Sequence, residues 1–222
     1  MVKNLVATLN QDVVSMINKE LNLLIKQLVT RFDEISDERK ADLTGLIDFI
    51  QEKKNQQENV NLIFICTHNS RRSHLSQVWA QTAANFYNIP NVFCFSGGTE
   101  TTALFPMVAE TLTKQGFSID KQSNNDNPEY YINYSENQLP IVGFSKLFSD
   151  EFNPQSNFAA VMTCTHAEEN CPFIPNATKR ISLPFNDPKE FDGTPLQKAK
   201  YEERSEQIAI EVLYVFSQIK KN

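Results

Sequence analysis

The feature that most restricts the fold is the junction at residues 60–86. An apolar run, VNLIFI, passes without a glycine or proline into CTHNSRRS and then into the helix-patterned HLSQVWAQTAANF. An unbroken apolar run is how a strand buried on both faces reads, and a strand turning straight into a helix is half of a βαβ unit. The alternation continues downstream. NVFCFSGG reads as a second strand, residues 106–117 as a helix ended by Gly116, LPIVGFSKLF, FAAVMTCT and KRISLPF as further strands, and residues 196–219 as a long final helix. This pattern predicts a parallel sheet covered on both sides. The polar, turn-rich residues 120–138 (DKQSNNDNPEYYINYSENQ) are expected to form an exposed loop, a candidate lid.

Ahead of the junction the periodicity is helical only. Val14, Ile17, Leu21, Leu24, Leu28 and Phe32 recur at spacings of three and four, and Leu43, Ile47 and Ile50 repeat the stripe after Ser36, a candidate helix cap followed by Asp37 and Glu38. Residues 1–55 thus read as an N-terminal helical hairpin, joined by a polar segment to a domain spanning residues 60–222. Its apolar face must bury against that domain or against a second subunit, which leaves a homodimer through the hairpin as the open alternative.

Composition removes some classes of function. A net charge of −6 over 222 residues gives no general basic surface for nucleic acid, so any anion must be bound locally. No apolar run reaches membrane-spanning length and the N-terminus lacks a secretory block, which leads to an expectation of a cytoplasmic protein with no membrane partner. Four widely spaced cysteines, Cys66, Cys94, Cys164 and Cys171, do not resemble a secreted disulfide framework. In a reducing compartment they are core thiols or working ones.

The CTHNSRRS turn can do chemistry. A tight passage from strand into helix aims successive backbone N–H groups, and the positive end of the helix, at one centre. Thr67, His68, Asn69, Ser70, Arg71, Arg72 and Ser73 are the candidate oxyanion-binding residues, with the Arg72 fork suited to two oxygens at once. Cys66 at the base of that field is the candidate nucleophile, and Ser73 can donate a hydrogen bond to its thiolate. The alternative is a buried strand-end thiol beside two solvated arginines. Asp187, in Asn-Asp-Pro after KRISLPF, can supply a proton if its loop reaches over the cradle.

Strand, C-x5-R-S loop and helix together resemble the low-molecular-weight protein tyrosine phosphatase fold, which also houses the thioredoxin-coupled arsenate reductases. The resemblance covers residues 60–220, and it implies an α/β, flavodoxin-like or Rossmann-like three-layer fold with a central four-stranded parallel sheet. It gives Asp187 the role of general acid. Cys164 and Cys171 form a C-x6-C-P, which the reductase branch carries and plain phosphatases lack. The implied activity is reduction of arsenate to arsenite: Cys66 attacks arsenate, Cys164 attacks Cys66, and Cys171 takes over the disulfide, which thioredoxin reduces. No bound cofactor is implied. The partners are an arsenate or phosphate oxyanion and thioredoxin.

Two other readings stay open. One is a tyrosine phosphatase working through a phosphocysteine, although Lys189-Glu190-Phe191 replaces the tyrosine pair that walls a phosphotyrosine pocket in that family. The other is zinc held by Cys164, His166 and Cys171, at a spacing wider than structural zinc sites usually have. A third outcome makes the hairpin the centre of an interaction module with a dormant site.

The loop also departs from the reductase pattern. His68 stands for a glycine, so a positive φ there would be strained, and Arg71 stands for a cysteine. Arg71 is expected either to add positive field or to face solvent. Gln77 replaces a glutamate found near a bound cation, so potassium dependence is not expected. Cys94 reads as a core residue.

Overall fold

A computed structural model describes residues 17–170 and 173–220. Four strands form a parallel sheet in the order β2-β1-β6-β7: β1 Val60–Cys66, β2 Val92–Gly98, β6 Phe158–Met162 and β7 Ala177–Ser182. The chain leaves β1 for a neighbour on one side and later returns to β6 on the other. The carboxyl end of β1 is therefore the switch point of the sheet, where an open α/β sheet forms its ligand crevice.

The apolar run of β1 is buried on both faces because each face has its own core. Leu62 and Phe64 point into a large core shared with α3 Arg72–Phe86, α6 Gln197–Ser217 and the hairpin. Ile63, Ile65 and Cys66 point into a smaller one with Met162, Cys164, Ala167 and Ile174, closed by α5 Thr165–Asn170. The result is a three-layer α/β fold around a central four-stranded parallel sheet.

Residues 118–143 depart from expectation. Instead of a loop followed by a strand of the main sheet, they form a separate three-stranded antiparallel sheet of β3 Ser118–Lys121, β4 Tyr130–Asn133 and β5 Ile141–Gly143. Tyr130 and Ile132 are buried while Tyr131 between them is exposed, the period-two pattern of a half-buried strand. The polar stretch between β3 and β4 remains an exposed loop.

The hairpin consists of α1 Lys19–Leu28, a 3-10 segment Val29–Glu34 and α2 Asp37–Asn55. The predicted cap is in place, with Ser36 Oγ accepting from Arg39 N at 3.1 Å. Val14, at the start of the predicted stripe, lies outside the described residues. Leu21, Ile25, Leu28, Leu43, Leu46, Phe49 and Ile50 are buried in the large core of the same chain, so the apolar face needs no second subunit to cover it. Gly116, at φ +96° after α4 Pro106–Lys114, makes one such contact unusually close: a Cβ there would sit 2.5 Å from the Leu21 backbone nitrogen. No helix among the described residues is long and apolar enough to cross a membrane.

Candidate active site

The residues after β1 build a cradle whose shape is held from outside. Thr99 N donates to Cys66 O, Glu100 N to Thr67 O and Phe105 N to Ser70 O, at 3.2, 2.8 and 3.0 Å. Ser145 Oγ donates to His68 O at 2.9 Å. In a trans peptide the next residue's N–H opposes the carbonyl, and no cis bond occurs among the described residues. Turning these four carbonyls outward therefore turns the N–H groups of Thr67, His68, Asn69 and Arg71 inward. The helix that follows, α3, has no acidic residue in its first turn, unlike α2 with Asp37 and Glu38. Its positive end is left for an external anion.

Asn69, not His68, carries the left-handed backbone, with φ +44°. Asparagine tolerates that region because its short polar side chain bonds locally. Here Asn69 is fully buried, accepts from Lys146 N at 2.9 Å and donates to Ser73 Oγ at 2.9 Å. The strain expected at His68 is absent for this reason. His68 Nδ1 instead lies 3.1 Å from Glu100 Oε2 at the mouth, an ion-pair distance without hydrogen-bond alignment. Gly98 admits the close approach of the loop after β2: a Cβ there would come within 2.3 Å of Glu100 O and 2.7 Å of Thr67 O.

Cys66 is buried, with Sγ 3.1 Å from Ser73 Oγ. Because Ser73 Oγ already accepts from Asn69, its own proton is free to point at the sulfur. Arg72 reaches back over the cradle, donating from Nη1 to Phe185 O at 2.9 Å and from Nη2 to Asp187 Oδ2 at 2.5 Å. Asp187 also accepts from Lys189 N at 3.1 Å, capping the short 3-10 turn Pro188–Phe191. Asp187 is thus brought to the cradle from 115 residues further along the chain.

Arg71 neither faces solvent nor aims its charge into the cradle. Its guanidinium lies 4.1 Å from the Phe105 ring centroid and donates to Asp192 Oδ2 and to Tyr201 Oη, both at 2.6 Å. Tyr201 in turn donates to the other oxygen of Asp192 at 2.7 Å. Of the Arg71 groups, the backbone N–H is the one turned toward the cradle, while the side chain fastens the loop to the start of α6.

Cys164 lies beside the cradle. Thr163 is tied to the end of β1 through Ile65 O, which accepts from both its N and its Oγ1, at 2.7 and 2.9 Å. Cys164 Sγ is buried, 3.6 Å from Thr67 Oγ1, and accepts from Ala167 N at 3.3 Å. Cys171 lies outside the described residues. Cys94 is buried and its thiol is pushed up by burial, as a core residue's should be. His74 is also a core residue, walled off from the cavity and pushed down to about 3 by burial, so it stays neutral.

The cavity over the cradle measures about 340 Å³ and is lined by the loop residues, Glu100, His166, Asp187 and Lys189. Glu100, His166 and Lys189 were not among the expected oxyanion or acid positions. Each follows a strand end of the parallel sheet, and that position was the available signal. Among the described residues, no Phe, Tyr or Trp lines this cavity. Among the described residues, no group of three or more His, Cys, Asp or Glu side chains is arranged to hold a metal ion.

No family model matches the chain. The arsenate reductase of Staphylococcus aureus (strain Newman) is 27% identical over 142 residues, which is 64% of this chain and 88% of that protein. A YwlE mutant from Bacillus subtilis superimposes with a TM-score of 0.50 at 15% identity, over 73% of this chain and all of that one. The YwlE arginine phosphatase with a phosphorylated active-site serine also gives 0.50 at 15% identity, over 73% and 97%. The chain is therefore a sequence relative of curated arsenate reductases, built on the low-molecular-weight protein tyrosine phosphatase fold.

Proposed function

We propose that the protein is an arsenate reductase that regenerates itself through a thiol relay ending at thioredoxin. The observation that carries this reading is the second buried thiol: Cys164 sits across Thr67 from the cradle, 3.6 Å from that side chain. A phosphatase of this fold has no use for it. The inward N–H groups and the Arg72 fork bind the arsenate oxygens, Arg72 exchanging Asp187 for the anion. Cys66 Sγ attacks arsenic, and Asp187 supplies a proton to the departing oxygen. Cys164 then attacks Cys66. The sulfur–arsenic bond breaks with its electron pair on arsenic, and As(V) leaves as arsenite. Cys171 takes the disulfide from Cys66, and thioredoxin reduces the resulting 164–171 pair. A reducing cytoplasm is the compartment this chemistry requires.

Phosphatase activity is the second reading, favoured by the arginine phosphatase among the matching folds and by a cradle and acid that phosphoryl transfer would use unchanged. A phosphotyrosine substrate fits poorly, because no described Phe, Tyr or Trp lines the cavity and the Phe191 ring lies beneath Lys200, 5.4 Å from its Nζ. Supplying arsenate with thioredoxin, thioredoxin reductase and NADPH tests the choice. Arsenate-dependent NADPH oxidation that disappears in Cys171→Ser supports the relay. Hydrolysis of aryl phosphate with no NADPH consumption in either protein ends it.

A further inference from the structure

Cys164 poses a problem that the relay leaves unsolved. A thiol attacks only as its thiolate, so the proton must leave before the sulfur reaches Cys66. Yet Cys164 is 1% exposed, closed in by Met162, Ala167 and Ile174 in the smaller core, with no direct path to solvent for that proton.

One polar route leads outward. Thr67 Oγ1 lies 3.6 Å from Cys164 Sγ and 3.2 Å from His166 Nδ1. A hydroxyl can accept from one neighbour while donating to another. His166 is exposed and lines the cavity over the cradle. Thiol, hydroxyl and imidazole thus form a continuous path from a buried sulfur to a group in contact with solvent. The backbone fixes all three members: Thr163 is tied to the end of β1, Thr67 follows Cys66, and Cys164 Sγ accepts from Ala167 N at the start of α5.

We propose that His166 accepts the Cys164 proton through the Thr67 hydroxyl, making the second thiol reactive. The proposal rests on the reading of Cys164 as the second nucleophile. Thr67 takes the sulfur's proton as it passes its own to Nδ1 of a His166 tautomer protonated at Nε2. The Cys164 thiolate forms the sulfur–sulfur bond to Cys66, and the sulfur–arsenic bond breaks with both electrons on arsenic. Two thiols are oxidised to one disulfide, As(V) becomes As(III), and the proton rests on the imidazolium. That group faces the same cavity and can return the proton to an oxygen of the departing arsenite. Thr67 touches the reacting sulfur, whereas His166 is a positioning residue acting through it.

Other titratable or charged residues line the same cavity: His68, Arg71 and Arg72 on the loop, Glu100 after β2, and Asp187 and Lys189 after β7. Glu169 shares α5 with it. The test must therefore compare pH profiles between proteins that share all of these.

The experiment is a single turnover with arsenate in Cys171→Ser, which stops the relay at the 66–164 disulfide. Arsenite release and disulfide formation are followed from pH 5.5 to 9.5 after acid quench. Adding His166→Gln should slow the step by about 100-fold near neutral pH. The gap should narrow as the pH rises, as hydroxide replaces the imidazole as the proton acceptor. Thr67→Val should behave the same way, and Thr67→Ser should stay close to the parent. An unchanged rate in His166→Gln, or an equal slowing at every pH, overturns the proposal. If the Cys171→Ser parent releases no arsenite, the reductase reading itself has failed. Alkylation of Cys164 by iodoacetamide then decides the proton path alone: a profile shifted to higher pH in His166→Gln supports it, and an identical profile refutes it.

Discussion

His74 should make the protein acid-sensitive by an amount that the structure sets. Its ring is fully buried in the first turn of α3, with Nδ1 3.0 Å from Ser96 Oγ. Burial, reinforced by the nearby Lys146 charge, lowers it from 6.5 to about 3. The native state therefore refuses a proton that the unfolded chain accepts. Stability from this group is complete above pH 6.5 and is lost as the pH falls toward 3. The whole interval corresponds to ~5 kcal/mol, of which about half is lost between pH 7 and 4.5. That is a large fraction of the roughly 5–15 kcal/mol available to a typical domain. His74→Asn removes the titration and leaves an amide for Ser96. Urea unfolding at pH 7.0 and 4.5, at equal ionic strength, should show the wild type losing about 2–3 kcal/mol more than the variant. Any constant cost of the substitution, and the contribution of the shared carboxylates, cancels in that difference. Parallel losses in the two proteins would refute the reasoning.

Gly98→Ala should abolish oxyanion binding, because the added carbon meets only backbone, at Glu100, Thr67 and Asn69; the stabilisation of thermal unfolding by millimolar phosphate or arsenate should disappear. Lys146 Nζ is buried without a hydrogen-bond partner, 4.4 and 5.1 Å from the Phe144 and Phe152 ring centroids, and burial lowers it to about 8. Lys146→Met should therefore stabilise the fold by up to ~3 kcal/mol below pH 8, an advantage that vanishes as the pH rises to 10.5, measured by urea unfolding across that range. Arg71→Ala strands Asp192 and Tyr201 and should cost ~3 kcal/mol, whereas Arg71→Met combined with Asp192→Asn should recover part of that loss in the same assay.

The parts of the molecule legible in the sequence were those with local signals. Five apolar residues among the six ahead of Cys66 announced a buried strand, and the abrupt turn into α3 announced the cradle. Ser36 announced its helix start. What escaped was short or distant. The strands of the small sheet are four, four and three residues long, and β4 lies in a polar stretch where Tyr130 and Ile132 give only one repeat of the alternation. The destination of Arg71 could not be read from CTHNSRRS, since Asp192 lies 121 residues away and Tyr201 130. The same holds for His166, whose link to Thr67 spans 99 residues. His68 was expected to carry a strain that its neighbour Asn69 absorbs, a one-residue difference that only the backbone angles disclose.

The two adjacent arginines grip two aspartates that bracket one short turn, Arg72 on Asp187 and Arg71 on Asp192. The segment from Asp187 to Asp192 is thus a strap buckled at both ends to the loop it overhangs. Its two buckles differ in kind. The one at Asp192 is braced by Tyr201 and the Phe105 ring, and Asp192 is not among the residues that line the cavity. The one at Asp187 is held by the guanidinium that an arriving oxyanion also wants. The two ends therefore differ in exposure to the cavity: the Asp187 end lies on its wall and the Asp192 end lies behind it.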